Sequence, residues 1–232
     1  MGRATGVILD SGGVMIRPVG GEWFPTQLLE QILEERGLAW DRDRLDRAVA
    51  AGYAYLDSVH DVPLRDEDEE RVVMARYHEV ILAGVGVERD GAALAREIQR
   101  REEARDSVEP YEWTLDVLTE LHARSIPVVV LSNAWPSLRR LHRGLGLDRY
   151  VKAMVISAEE GAGKPDARVF ATALAALGEP PERTIFVDDW PGHVEAANRL
   201  GMRGIRLRHS ADDPSTGLEE IVNLRDLLDI VG

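Results

Sequence analysis

The chain has 232 residues, 44% of them apolar, and no cysteine. That composition fits one folded domain, or one domain carrying a large insertion, and excludes a disordered chain. Disulfides, thiolate nucleophiles and cysteine-ligated zinc or iron–sulfur centres are excluded with it. The 41 acidic residues outnumber the 28 basic ones, giving a formal charge of −13. This argues against a general nucleic-acid binder, which needs a basic surface to neutralise phosphates. Only two of the basic residues are lysines, Lys152 and Lys164.

The first apolar run, Gly6-Val7-Ile8-Leu9, ends in Asp10. It is apolar without alternation, as expected of a strand buried on both faces of a parallel sheet. Residues 17–108 then show no strand pattern and many charges. Four helical faces are expected there: Leu28, Leu29, Ile32 and Leu33; Leu45, Val49, Gly52, Tyr53 and Leu56; Val72, Val73, Arg76, Tyr77, Val80 and Ile81; and Leu94 with Ile98. The acid-rich run Arg65 to Arg71 reads as a solvated helix face or a helix start. Pro18-Val19-Gly20-Gly21 and Ser107-Val108-Glu109-Pro110 are candidate hinges on either side.

After the insertion, Leu115, Leu118 and Leu121 suggest a helix, and Ile126 to Leu131 a strand ending in Ser132-Asn133. Ala153 to Ile156 is a further strand, ending at Ser157. Val169, Phe170, Ala173, Leu174 and Leu177 form a helical face with Asp166 as N-cap and Gly178 as stop. Thr184 to Val187 is a strand ending in Asp188-Asp189. Val194, Ala197 and Leu200 make another helix closed by Gly201, and Gly204 to Leu207 a weaker strand interrupted by Arg206. Strands alternating with helices indicate an α/β fold with a doubly wound parallel sheet, a Rossmann-like core with an inserted α-helical domain. The core is expected at 1–16 and 109–232, and the insertion at 17–108. No run approaches the roughly 20 apolar residues of a membrane helix, and the short run before Asp10 is not a secretory signal. A soluble, cytoplasmic protein with no membrane or nucleic-acid partner is expected.

In an open parallel sheet the ligand crevice lies at the carboxyl ends of the strands. Three strands here deliver polar residues to that edge: Asp10, then Ser132 and Asn133, then Asp188 and Asp189. Each alone is an ordinary loop residue; the set is not. Clustered carboxylates repel unless a cation sits among them, and hard oxygen ligands of this kind suit Mg²⁺. Ser132 and Asn133 offer neutral donors to phosphate oxygens. Lys164, between Gly161-Ala162-Gly163 and Pro165, offers one positive charge near a helix start. A Walker A reading of Gly-Ala-Gly-Lys fails, because Ala158 stands at the first glycine position and proline follows the lysine. The six histidines show no paired metal spacing, and His193 is the one expected near the crevice. Trp135 and Trp190 line the crevice or pack, with packing favoured for at least one.

These residues resemble the motifs of the haloacid dehalogenase-like hydrolase superfamily, phosphatase type, with a helical cap inserted after the first motif. The first motif is similar to Asp10-Ser11-Gly12-Gly13-Val14, the second to Leu131-Ser132-Asn133, the third to Ser157 through Asp166, the fourth to Phe186-Val187-Asp188-Asp189. The resemblance implies a small phosphorylated substrate, with Asp10 as the nucleophile forming an aspartyl-phosphate. It implies Mg²⁺ held by Asp10, the Gly12 carbonyl and Asp189, with Asp188 direct or through water. Ser132, Lys164 and the Gly13 N–H would hold the phosphoryl oxygens, and the cap would choose the leaving group. One position departs from the pattern. Most such phosphatases carry a second aspartate, a general acid, where this chain has Gly12; that acid is worth about 10²–10⁴-fold. Two alternatives stand beside the phosphatase: a metal-independent 2-haloacid dehalogenase, which the acidic pair Asp188-Asp189 disfavours, and a non-catalytic phosphate-ligand-binding regulator.

Overall fold

The computed structural model describes residues 4–21, 23, 26–59, 61–87, 90–103, 108–210 and 213–231. Ser107, named above, and His60, one of the six histidines, lie outside them. In chain order the elements are β1 (Gly6–Leu9), β2 (Ile16–Pro18), α1 (Thr26–Glu35), α2 (Arg42–Val59), α3 (Glu67–Gly84), α4 (Gly91–Glu103), β3 (Val108–Pro110), α5 (Thr114–Ala123) and β4 (Val128–Ser132). They continue with α6 (Leu138–Gly144), β5 (Ala153–Ile156), α7 (Ser157–Glu160), α8 (Ala167–Leu177), β6 (Thr184–Asp188), α9 (Pro191–Arg199), β7 (Arg203–Leu207), β8 (Glu219–Ile221) and α10 (Leu227–Ile230). The chain divides into two compact units, residues 1–17 with 108–232, and residues 18–107.

The first unit is built on a six-stranded sheet in the order β5-β4-β1-β6-β7-β8, every pairing parallel. β1 is central, with Leu9 level with Val130 on one side and Val187 on the other. The lack of alternation in its sequence has a direct cause. Val7 and Leu9 face one apolar cluster with Val128, Val130, Ile185 and Val187. Ile8 faces the other, with Val129, Leu131, Val155, Phe170 and Phe186. Phe170 of α8 meets Phe186 edge-on at 5.2 Å, fastening that helix to the sheet. The ends of α8 follow the sequence: the Asp166 carboxylate caps the Arg168 N–H at 2.9 Å, and Gly178 ends the helix at φ 79°.

The helical unit has α3 packed against both α2 and α4. Gly52 of α2 allows close approach to α3, since a Cβ there would lie 2.8 Å from Tyr77 and 2.9 Å from Ile81. The acid-rich run is a helix start. Asp66 caps the N–H groups of Asp68 and Glu69, and Glu67 to Glu70 sit at the positive end of α3. No helix among the described residues is long and apolar enough to cross a membrane.

Several expected faces are rotated. Val72 is 71% exposed, and α3 instead buries Met74, Tyr77, His78, Ile81 and Leu82. Leu115 is exposed, and α5 buries Thr114, Val117, Leu118 and Leu121. Those four follow the i, i+3, i+4, i+7 pattern, whereas a strict three-residue spacing drifts off the face. β8 carries one buried residue, Ile221, and has no pattern to read.

Gly204 in β7 lies under α9, where a Cβ would stand 2.7 Å from the Val194 carbonyl and 2.9 Å from Asn198 Oδ1. Gly204→Ala is expected to cost about 1–3 kcal/mol by overpacking, read as a lower urea midpoint with unchanged slope.

Candidate active site

The site grows from the carboxyl edge of the sheet. Register puts Asp10, after β1, level with Asp188 at the end of β6. Ser132 ends β4 on the other side of β1. Oxygens of Asp10, Asp188 and Asp189 lie within 4.8 Å of one another. Lys164 is placed between two of these carboxylates, with Nζ 2.6 Å from Asp188 Oδ2 and 3.0 Å from Asp10 Oδ1, its side chain fully buried. The ammonium also lies over the Phe186 ring at 5.7 Å.

Lys164 is held through its backbone. Asn133 accepts the Lys164 N–H at 2.7 Å and donates to its carbonyl at 2.9 Å. One N–H of the Asn133 amide and its oxygen thus clamp the lysine loop, which leaves the second N–H of a residue expected among the phosphate donors. Gly163 makes room, since a Cβ there would lie 2.8 Å from Asn133 Oδ1. Ser132 is a buried residue whose hydroxyl makes no hydrogen bond among the described residues.

The Gly13 N–H, assigned above to phosphoryl oxygens, donates to the Ile16 carbonyl at 2.9 Å. Gly13 serves by lacking a side chain. Its φ is +77°, and a Cβ would fall inside the Asp189 carboxylate. Gly12 has no positive φ, and its carbonyl takes no part in the turn's backbone hydrogen bonds.

The three aspartates differ in environment. Burial pushes the Asp10 carboxyl up to about 6; Lys164 opposes this, while Asp188 and Asp189 add to it. Burial also works against ionised Asp188, but Lys164 and His193 outweigh it and hold Asp188 below the usual carboxylate range. The Asp188 oxygens take Lys164, the Trp190 N–H at 2.8 Å, and His193 Nδ1 at 3.1 Å from each. Desolvation disfavours the Lys164 ammonium, yet its two carboxylates raise its pKa. Asp189 is the more open of the acidic pair and meets His209 Nε2 at 3.3 Å. Three carboxylates against one ammonium leave two negative charges, and all six carboxylate oxygens are hard donors. The set therefore fits a hard dication such as Mg²⁺.

Sequence reading named His193 alone near this edge, but His209 and His142 are there too. His209 lies two residues beyond β7, at the same sheet edge, which was a usable signal. It stacks on Tyr111 at 5.7 Å, and Tyr111 on Trp113 at 4.7 Å. His142 meets Ser11 and had no sequence signal. Trp190 is 63% exposed and does not pack.

Residues 4–201 match the model of the haloacid dehalogenase-like hydrolase family. The chain belongs to that family. It is therefore a hydrolase, and the matched range contains Asp10, Ser132, Lys164, Asp188 and Asp189. A phosphoserine phosphatase of Thermus thermophilus is 38% identical over 90 residues, 38% of this chain but only 36% of that protein. A glyceraldehyde 3-phosphate phosphatase of Methanopyrus kandleri is 25% identical over 170 residues, covering 67% of this chain and 71% of the relative. Among solved structures, a HAD-hydrolase from Bacillus subtilis bound to magnesium superposes with TM-score 0.69 at 16% identity, covering 99% of each chain. A dehalogenase with an intermediate complex does so equally, at 0.69 and 15%, covering 100% of this chain and 98% of the other. The shared fold thus spans both chemistries, and the site must choose between them.

Lys164→Met would leave Asp10 and Asp188 side by side without their ammonium. Breaking a buried pair this way costs about 3–5 kcal/mol. Chemical denaturation at neutral pH is expected to show that loss, and an unchanged midpoint would contradict it.

Proposed function

We propose that the chain is a Mg²⁺-dependent phosphomonoester hydrolase acting on a small phosphorylated metabolite. The observation that carries this is the triad Asp10, Asp188 and Asp189 with Lys164 inserted on two of its members. A dehalogenase attacks carbon and needs no metal, so a three-carboxylate edge would be an uncompensated cost to it. The two phosphatase relatives support the same reading.

In this reading Asp10, the Gly12 carbonyl and Asp189 hold Mg²⁺, with Asp188 behind them. When bound, the ion supplies positive charge to the phosphoryl oxygens. The Asp10 oxygens already differ. Oδ1 accepts the Ser11 N–H at 2.7 Å and faces Lys164, while Oδ2 takes no hydrogen bond among the described residues. Oδ2 is the attacking atom. A bond forms from it to phosphorus as the ester oxygen leaves, and water then cleaves the aspartyl-phosphate. Lys164 has three N–H donors and spends two on carboxylates, which leaves one for a phosphoryl oxygen. The Ser132 hydroxyl offers another. Choice among phosphate esters is assigned to the inserted helical unit.

Gly12 cannot protonate the leaving group, so esters of acidic alcohols are the better substrates. Turnover of an aryl phosphate is expected with Mg²⁺, to vanish on chelation, and to fall at least 10³-fold in Asp10→Asn, on the order of a lost essential nucleophile. No metal-dependent turnover, or an active Asp10→Asn, would sink the proposal. Metal-free halide release from a 2-haloacid would replace it with the dehalogenase. Tight binding of a phosphorylated ligand without turnover would replace it with the regulator. Gly12→Asp is expected to raise turnover of alkyl phosphates more than of aryl phosphates, by up to about 10²–10⁴-fold. Equal effects on both would count against a missing acid.

A further inference from the structure

Ser11, directly behind Asp10, is fully buried and committed at every polar group. Its N–H donates to Asp10 Oδ1. Its carbonyl accepts from the N–H groups of Val14, Met15 and Ile16 at 3.3, 2.8 and 3.0 Å. Its hydroxyl lies 2.7 Å from His142 Nε2. His142 is on α6, 131 positions along the chain, and is fully buried as well. Its other ring nitrogen, Nδ1, is buried with no hydrogen-bond partner.

That unmatched nitrogen is informative. In either neutral tautomer Nδ1 is left without a partner, and leaving a buried polar atom so costs on the order of 1–3 kcal/mol. A leucine would fill the same space without the cost, so packing does not account for a histidine. What a histidine supplies here, and a leucine cannot, is the hydrogen bond to Ser11. The need for it is local. Val14, Met15 and Ile16 anchor the far side of this turn in the core, but Gly12 and Gly13 have no side chains, so next to the nucleophile Ser11 alone offers a side-chain link to the rest of the unit. Burial holds the imidazole neutral, with its pKa pushed down to about 4, so the link keeps one charge state near neutral pH.

We propose that His142 is a positioning residue for the hydrolysis: by fixing Ser11 it fixes the N–H that pins Asp10 Oδ1, and so keeps Oδ2 aimed for attack. The His142 ring bonds to Ser11 and makes no hydrogen bond to Asp10, Asp188 or Asp189 among the described residues. The proposal rests on Asp10 being the nucleophile.

The test compares His142→Leu, His142→Gln, Ser11→Ala and the double variant His142→Leu with Ser11→Ala. With an aryl phosphate and Mg²⁺, His142→Leu is expected to lower kcat about 10- to 100-fold, the size of effect a small misplacement of a reacting group produces. KM should stay within about twofold. Ser11→Ala should lose as much, the double variant no more than either single, and His142→Gln, which keeps a polar atom near Nε2, should recover most of the rate. A structural role alone would give additive losses that follow unfolding, with no rescue by glutamine. Hydrogen exchange of the Ser11 amide provides an arm that needs no turnover. His142→Leu should speed it at least tenfold while Val7 to Leu9 stay protected. Unchanged Ser11 exchange, or unchanged kcat in a folded variant, overturns the proposal. Should His142→Leu not fold, Ser11→Ala reads the same link from its other end. Absent turnover in the parent refutes the phosphatase reading and with it a role in that hydrolysis, while the exchange arm still decides whether His142 fixes the Ser11 N–H on Asp10.

Discussion

One buried ammonium organises the catalytic edge of the sheet. Asp10 and Asp188 are brought level by the register of two neighbouring parallel strands, and both are withdrawn from water. Two carboxylates so placed repel each other, and Lys164 between them offsets that repulsion. The rest of the edge serves that insertion. Asn133 holds both polar groups of the lysine's backbone, Gly163 makes room for Asn133, and the Phe186 ring lies beneath the ammonium. The lysine neutralises one charge of three, which is why the cluster still suits a dication.

Much of this was legible in the sequence, for identifiable reasons. Strands buried on both faces are short, apolar and unalternating, so β1, β4, β5 and β6 could be read with the polar residues at their ends. A chain with two lysines makes one beside a glycine-rich turn conspicuous. What was not legible depended on tertiary partners. Nothing in the residues around Asn133 says that its amide closes on the Lys164 backbone. Nothing around Gly13 says that its N–H folds back to Ile16. The helical faces of α3 and α5 were read slightly rotated, because apolar residues such as Val72 and Leu115 also occur on the solvent side. β8 gave no signal because a three-residue edge strand buries a single side chain.

The turn after the nucleophile connects what is missing from this site with what is added. Gly12 offers no acid–base side chain and Gly13 admits the Asp189 carboxylate, so between Asp10 and the buried Val14 only Ser11 carries a side chain. Ser11 and His142 supply an anchor there from within the core. In the proposed reading, a nucleophile held in this way without a general acid suits substrates whose leaving groups need little protonation. In the helical unit, α3 is capped by Asp66 and carries four acidic residues in its first turn.

The central claim is that Asp10 forms a covalent bond to phosphorus. Rapid acid quench of the enzyme turning over an aryl phosphate with Mg²⁺, followed by peptide mass spectrometry, tests it most directly. The account predicts a phosphoryl group on the peptide that contains Asp10, absent from Asp10→Asn. Turnover with no such adduct, or an adduct on a different residue, would contradict it.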